Sequence, residues 1–366
     1  MRLSPSRVPS VVALPLGFLL LPLGVILLPL VPELGVPLSL LATRFLGRKY
    51  EWARRFNAWI DAKWHSLRAR MKSGQNPDRP KLWRWTVGTI AIIIFWQGLG
   101  LVLTVGLARF FDFDLAILFA TDDAGIAQLR ELPPWSAAAT ILVSFIPLFL
   151  GTLLAYRYIL KRPIKSLFSA FERYSWKRTW VGFAAFALIS FVFGVGDLII
   201  NWDSYTRSWD VARFLPYLII LLTLLPIQTT AEELFFRGWL QQWLDNGKKK
   251  QWTISFIGGF LFALPHMANP EVAGNELFFP IISYGSVGFM LAWVTYRDKT
   301  LEMAIGAHFA NNFLTSLFVS TEDSALPSVS FFTTPDVAWA PAAAVSVLMV
   351  PIFIWLSGKW NAKVAA

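Results

Sequence analysis

The chain has 366 residues, of which 55% are hydrophobic, 16% aromatic and only 15% charged, too little polar surface for a soluble globule of this length. It reads as a polytopic membrane protein. Having no cysteine excludes disulfides, thiolate metal sites and a cysteine nucleophile, and the net charge of +10 must be explained by where its 33 Lys and Arg residues lie.

The first apolar run, VVALPLGFLLLPLGVILLPLVPELGVPLSLLATRF, carries prolines at 15, 22, 29, 32 and 37. Proline interrupts helical hydrogen bonding, so the run predicts a re-entrant or hairpin pair. It shows no small-residue cleavage site, which argues against a removed signal peptide. Much of the positive excess follows between Arg44 and Arg84, where Trp52, Phe56, Trp59, Trp64 and Leu67 fall at near-helical spacing. A basic amphipathic segment beside a membrane lies on anionic lipid, so lipid is the expected partner of 44–84 and nucleic acid is not. His65, within this segment, reads as a surface residue.

Apolar runs at 86–109, 137–160, 180–200, 214–244, 253–267, 281–296, 300–319 and 337–357 predict about eight membrane-spanning helices, with those at 253–267 and 281–296 short. The fold class is therefore all-α, a polytopic transmembrane helical bundle with a proline-rich N-terminal hydrophobic hairpin. Four regions are expected: 1–85, the hairpin and basic interfacial segment; 86–213, accessory helices; 214–320, a helical core; and 321–366, a last helix and basic tail. The loops 161–178, 245–251 and 297–299 are basic, whereas the alternating loops hold Asp112, Asp114, Asp122, Asp123, Glu271, Glu276, Glu322 and Asp323. Basic loops stay cytoplasmic, which predicts both termini in the cytoplasm, the membrane being a bacterial plasma membrane. No internal repeat suggests a transporter built of two halves.

The segment TTAEELFFRGWL, 229–240, sets Glu232, Glu233 and Arg237 inside an apolar helix. Ionisable groups at such depth cost roughly 2.5–3.5 kcal/mol each on insertion scales and point to function. Glu233 and Arg237, at i and i+4, predict an ion pair that positions Glu233; Glu232, about 100° around the helix, has no partner there and faces elsewhere. His266 ends GGFLFALPH and His308 lies in LEMAIGAHFANNF, both apolar. Counted from the basic ends of their helices, Glu232, Glu233, His266, His308 and Asn312 lie at about 12–20 Å. Packing histidines have no reason to share that level. A carboxylate in a low-dielectric pocket suits general acid or base work near neutrality, and His308 and Asn312, at i and i+4, can aim donors at one point. Asp197, near the outer end of its helix, and Gln97, between helices, read as structural.

The ordered patterns Glu232-Glu233-x-x-x-Arg237, Phe262-x-x-x-His266 and His308-x-x-x-Asn312 resemble the CAAX protease and bacteriocin-processing family of intramembrane endopeptidases, also described as type II CAAX prenyl proteases. The resemblance covers roughly 215–318. It implies that 214–320 is a catalytic core, that Glu232 and His266 activate a water, and that His308 and Asn312 hold the oxyanion of a membrane-associated peptide or protein substrate. Glu233 and Arg237 support the site, and Phe262 has no catalytic role. Zinc is a possible cofactor, held by Glu232, His266 and His308, but no His-Glu-x-x-His helix fixes it, and the donors of His308 and Asn312 favour a metal-free water. The alternatives are a non-catalytic scaffold, immunity or regulatory protein of the same fold, and a proton-coupled transporter, which leaves the histidine–asparagine pair unexplained.

Overall fold

The computed structural model describes residues 10–30, 32–72, 80–119, 123–245, 249–321 and 324–365. It falls into two compact units, Met1–Arg79 and Pro80–Ala366. In the first, helices α1 (Ser10–Leu30) and α2 (Pro32–Leu46) form the expected hairpin, so close that a side chain on Gly17 would meet Leu46 Cγ at 2.8 Å. The prolines act differently from the expectation. Pro15, Pro22 and Pro29 are absorbed within α1, as apolar membrane helices tolerate proline, and only Pro32 stands at a break. Helix α3 (Glu51–Lys72) packs on α2 through Asn57 Nδ2, which donates to Thr43 O at 2.7 Å, and an Arg44–Asp61 ion pair. Trp52, Phe56 and Trp59 stand exposed at spacings that place them on one face of α3. The side chains of Trp64, His65 and Leu67 lie outside the described residues.

The second unit is a bundle of α4 (Leu82–Phe110), α5 (Pro134–Ile159), α6 (Trp176–Ile200), α7 (Val211–Leu244), α8 (Gln251–His266), α9 (Phe278–Asp298), α10 (Glu302–Phe318) and α11 (Trp339–Ala365). Each apolar run of the sequence is helical. Among the described residues six of these helices are long and apolar enough to cross a membrane, while α8 and α10 have 16 and 17 residues. The chain is an integral membrane protein with an all-α polytopic bundle. The run at 281–296 is longer than its apolar core suggested, since Phe278–Pro280 and Arg297–Asp298 stay helical at its ends. Gln97 faces outward rather than between helices, and Asp197 accepts from Asn201 Nδ2 at 2.7 Å near the end of α6. Asp122, Lys248, Glu322 and Asp323 lie outside the described residues.

Two close crossings fix the helices that carry the site. A Cβ on Gly306 of α10 would lie 1.9 Å from Thr179 O of α6, and one on Gly182 of α6 would lie 2.1 Å from Met303 O of α10. Only glycine permits that approach. Gly259 of α8 meets α9 in the same way, a Cβ there falling 2.5 Å from Gly285 O. Short strands β1 (Thr206–Arg207), β2 (Val319–Thr321) and β3 (Phe332–Thr334) join the loops beyond α6, α10 and the start of α11, with β3 central, antiparallel to β1 and parallel to β2.

Candidate active site

Helix α7 is built from pieces. Its first piece, Val211–Thr223, ends at Leu224 before Pro226, its second runs Leu225–Glu233, and Leu234–Gln241 is a π-helix. A π segment adds backbone to each turn, is rare, and recurs at functional sites. Here it starts at the residue after Glu233 and carries Arg237. Sequence periodicity gave no sign of it.

Arg237 Nη1 donates to Glu233 Oε1 at 2.8 Å, the ion pair expected from their spacing, and Nη2 donates to Gly288 O of α9 at 3.1 Å. Glu232 does not face elsewhere. Both carboxylates meet His308 of α10, with Glu233 Oε1 2.7 Å from Nδ1 and Glu232 Oε2 3.3 Å from Nε2. The second approach is a close electrostatic contact off the line of a hydrogen bond, since Glu232 Oε2 has no aligned protein donor. The reason the expectation failed is tertiary: a 100° separation on one helix still lets two long side chains grip one imidazole from either edge. The Glu233 side chain is fully buried, whereas Glu232 keeps 10% of its side-chain surface, so Glu232 is the member of the pair with an open edge.

His266 is the last residue of α8 and lies at the end remote from the Lys249–Lys250 loop. Its Nδ1–H donates to Phe262 O at 2.7 Å, which leaves Nε2 for other work. Phe262 turns out to be central. Its ring lies 4.5 Å from that of His266, 5.6 Å from that of His308 and 4.4 Å from the Arg237 guanidinium, so it sets the spacing of three site residues while offering no reactive atom. Asn312 Nδ2 donates to Gln228 Oε1 at 3.2 Å, and Asn312 Oδ1 accepts from Asn311 Nδ2 at 2.9 Å. Gln228 stands one turn before Glu232 on α7, so Asn312 is tied to the same helix as the glutamates.

Tyr284, which sequence reading passed over, and Glu271, read there only for its charge, close the far side. Tyr284 of α9 stacks 4.5 Å from the His266 ring and donates to Glu271 Oε1 at 2.7 Å. Glu271 also accepts from Asn269 Nδ2 at 2.9 Å and from Ala325 N at 2.8 Å, tying the loop after α8 to the loop after α10. Glu271 was legible only as a loop acid.

The zinc alternative calls on Glu232, His266 and His308. Glu232 and His308 adjoin, yet among the described residues no three His, Asp or Glu side chains are gathered as a metal site. As placed, these donors do not fit a shared ion.

The profile of the family described as type II CAAX prenyl endopeptidase Rce1-like matches residues 213–314, the stretch that supplies Glu232, His266, His308 and Asn312. An uncharacterized protein of Bacillus subtilis (strain 168), YyaK, is 34% identical over 219 residues, 58% of this chain and 73% of that protein. The chain belongs to the Rce1-like family. As an Rce1-like protein it falls in a family of membrane proteases, and at that level it is a hydrolase. No solved structure matches the chain. The Rce1-like match begins at residue 213, near the start of α7, and ends within α10, so α4 to α6 and α11 lie outside it.

Proposed function

We propose that the chain is an intramembrane endopeptidase that hydrolyses a peptide bond of a membrane-associated protein or peptide with a water activated by Glu232 and His266. The observation that carries this reading is the convergence of both carboxylates on one imidazole. Two carboxylates here face one guanidinium and one imidazole, so each buried acid lies beside a group able to oppose its charge. An opposing group supplies what an isolated buried charge lacks.

In this mechanism Glu232, through its open edge, takes a proton from water as the oxygen attacks the carbonyl carbon. The Nε2–H of His308, with Nδ1–H fixed on Glu233, and the second Nδ2–H of Asn312, the one not given to Gln228, donate to the oxyanion. The proton held by Glu232 then passes to the departing amine as the carbon–nitrogen bond breaks, so one water is divided between the two new termini. His266 steers the water from the opposite side through Nε2. No step needs an ion. Anionic lipid at 44–84, a bacterial plasma membrane and cytoplasmic termini belong to the same proposal. Mass spectrometry of membrane-protein termini in cells making wild-type chain or Glu232→Ala tests it: new termini confined to wild type are expected, and identical termini favour the scaffold reading.

A further inference from the structure

Below Arg237, on the side away from Glu233, three helices contribute buried polar atoms that no protein group satisfies. Arg237 Nε, Gln241 Oε1, Ser255 Oγ and Thr295 Oγ1 are all buried without a hydrogen-bond partner, in residues at most 8% exposed. The register of the helices brings them to neighbouring levels. Helices α8 and α9 run antiparallel, and a Cβ on Gly258 would lie 3.1 Å from Ala292 Cβ; one turn further along each helix, Ser255 comes opposite Thr295. Gln241 Nε2 donates to Ala292 O at 3.1 Å, which sets the Gln241 amide one turn from Thr295. Arg237, one turn before Gln241 on the π segment, stands between them and the catalytic cluster.

Buried polar groups in folded proteins are nearly always satisfied, by protein or by ordered water, and leaving one bare costs free energy. This set is chemically complete for water. Arg237 Nε–H donates, Gln241 Oε1 accepts, and the two hydroxyls do both, so a water bridging them finds the two to four partners that hold one in an interior. A packing role would be served by apolar side chains of the same shape, as at Ala263, Leu291 and Val294 on the same helices.

We propose that Gln241, Ser255 and Thr295 bind internal water, extended to Arg237 Nε, as a hydrated column leading from the Glu233–Arg237 ion pair toward the end of the bundle that carries Lys249 and Lys250. One turn beyond Ser255 the column meets half-buried Gln251, whose Nε2 donates to Trp293 O at 3.1 Å, and at that end Tyr296 OH donates to Lys249 O. The column gives the ion pair a polar route to solvent separate from the Glu271–Tyr284 side. It stands whether or not the chain is a protease.

The chain has no cysteine, so single replacements carry unique labels. Pulsed X-ray radiolysis generates hydroxyl radicals from bound water and oxidises a thiol beside it. Ser255→Cys and Thr295→Cys, made separately in the full chain in lipid nanodiscs, are compared with Ala263→Cys and Ala304→Cys, which replace fully buried apolar residues. Oxidation several-fold faster at 255 and 295 than at the controls is expected, and Gln241→Leu should bring the Thr295→Cys rate down toward them. Either single replacement that keeps the wild-type melting temperature suffices. Rates at 255 and 295 equal to those of the controls would overturn the column.

Discussion

Glu233 has two jobs in one oxygen, accepting from Arg237 at 2.8 Å and facing His308 Nδ1 at 2.7 Å, whereas Glu232 has no ion pair with Arg237 and meets His308 at 3.3 Å, off the line of a hydrogen bond. The two neighbours should therefore respond differently to the same change. Glu233→Gln strands a buried guanidinium and is expected to lower unfolding stability by about 3–5 kcal/mol. Glu232→Gln should cost about 1 kcal/mol while abolishing turnover. Chemical unfolding in detergent checks this, and equal losses for the two would contradict the division of labour. Because the donors do not form a shared metal site, turnover should also persist after exhaustive chelation; zinc-restorable loss of activity would instead return His266 and His308 to the role of ligands.

Helices, not loops, set the positions of these side chains, and the glycine crossings are the test at that scale. Gly306→Val would drive a side chain into Thr179 O, 1.9 Å from the Cβ position, and should cost about 3 kcal/mol or more, seen as lost folded yield on size exclusion. Gly98→Ala, with nothing within 4 Å, is the neutral control. This scale also explains what the sequence could and could not reveal. Glutamates, arginine and histidines inside apolar runs stand out because a membrane makes them costly, so the candidate residues, the helical class and the hairpin could be read there. The grip of both glutamates on His308 was not, since it joins residues 75 apart and depends on how α7 faces α10. Nor was the π segment, whose one extra residue per turn hides within eight residues of ordinary helical pattern. Phe262 read as packing because its ring does pack; the three partners that make it central come from other helices or the next turn.

For the whole molecule, loop charge predicts which end faces the cytoplasm, and the structure puts His266 at the end of α8 remote from Lys249. Lys249→Cys should react with an impermeant thiol reagent only from the cytoplasmic side and Glu276→Cys only from the outside; both reacting from one side would reverse the orientation and the side from which substrate enters. Vesicles containing anionic lipid should likewise protect Trp52, Phe56 and Trp59 from an aqueous quencher more than neutral vesicles do, because α3 presents them on one exposed face beside its basic residues. The central claim is that Glu232 drives addition of water across a peptide bond within the membrane. Its most direct test is to reconstitute purified wild-type and Glu232→Gln chains in liposomes with a library of membrane-anchored peptides, prenylated and not, in water enriched in oxygen-18. New carboxyl termini carrying one heavy oxygen in wild type, and absent from Glu232→Gln, are the predicted result. Equal cleavage by both chains, or none by wild type, would contradict it.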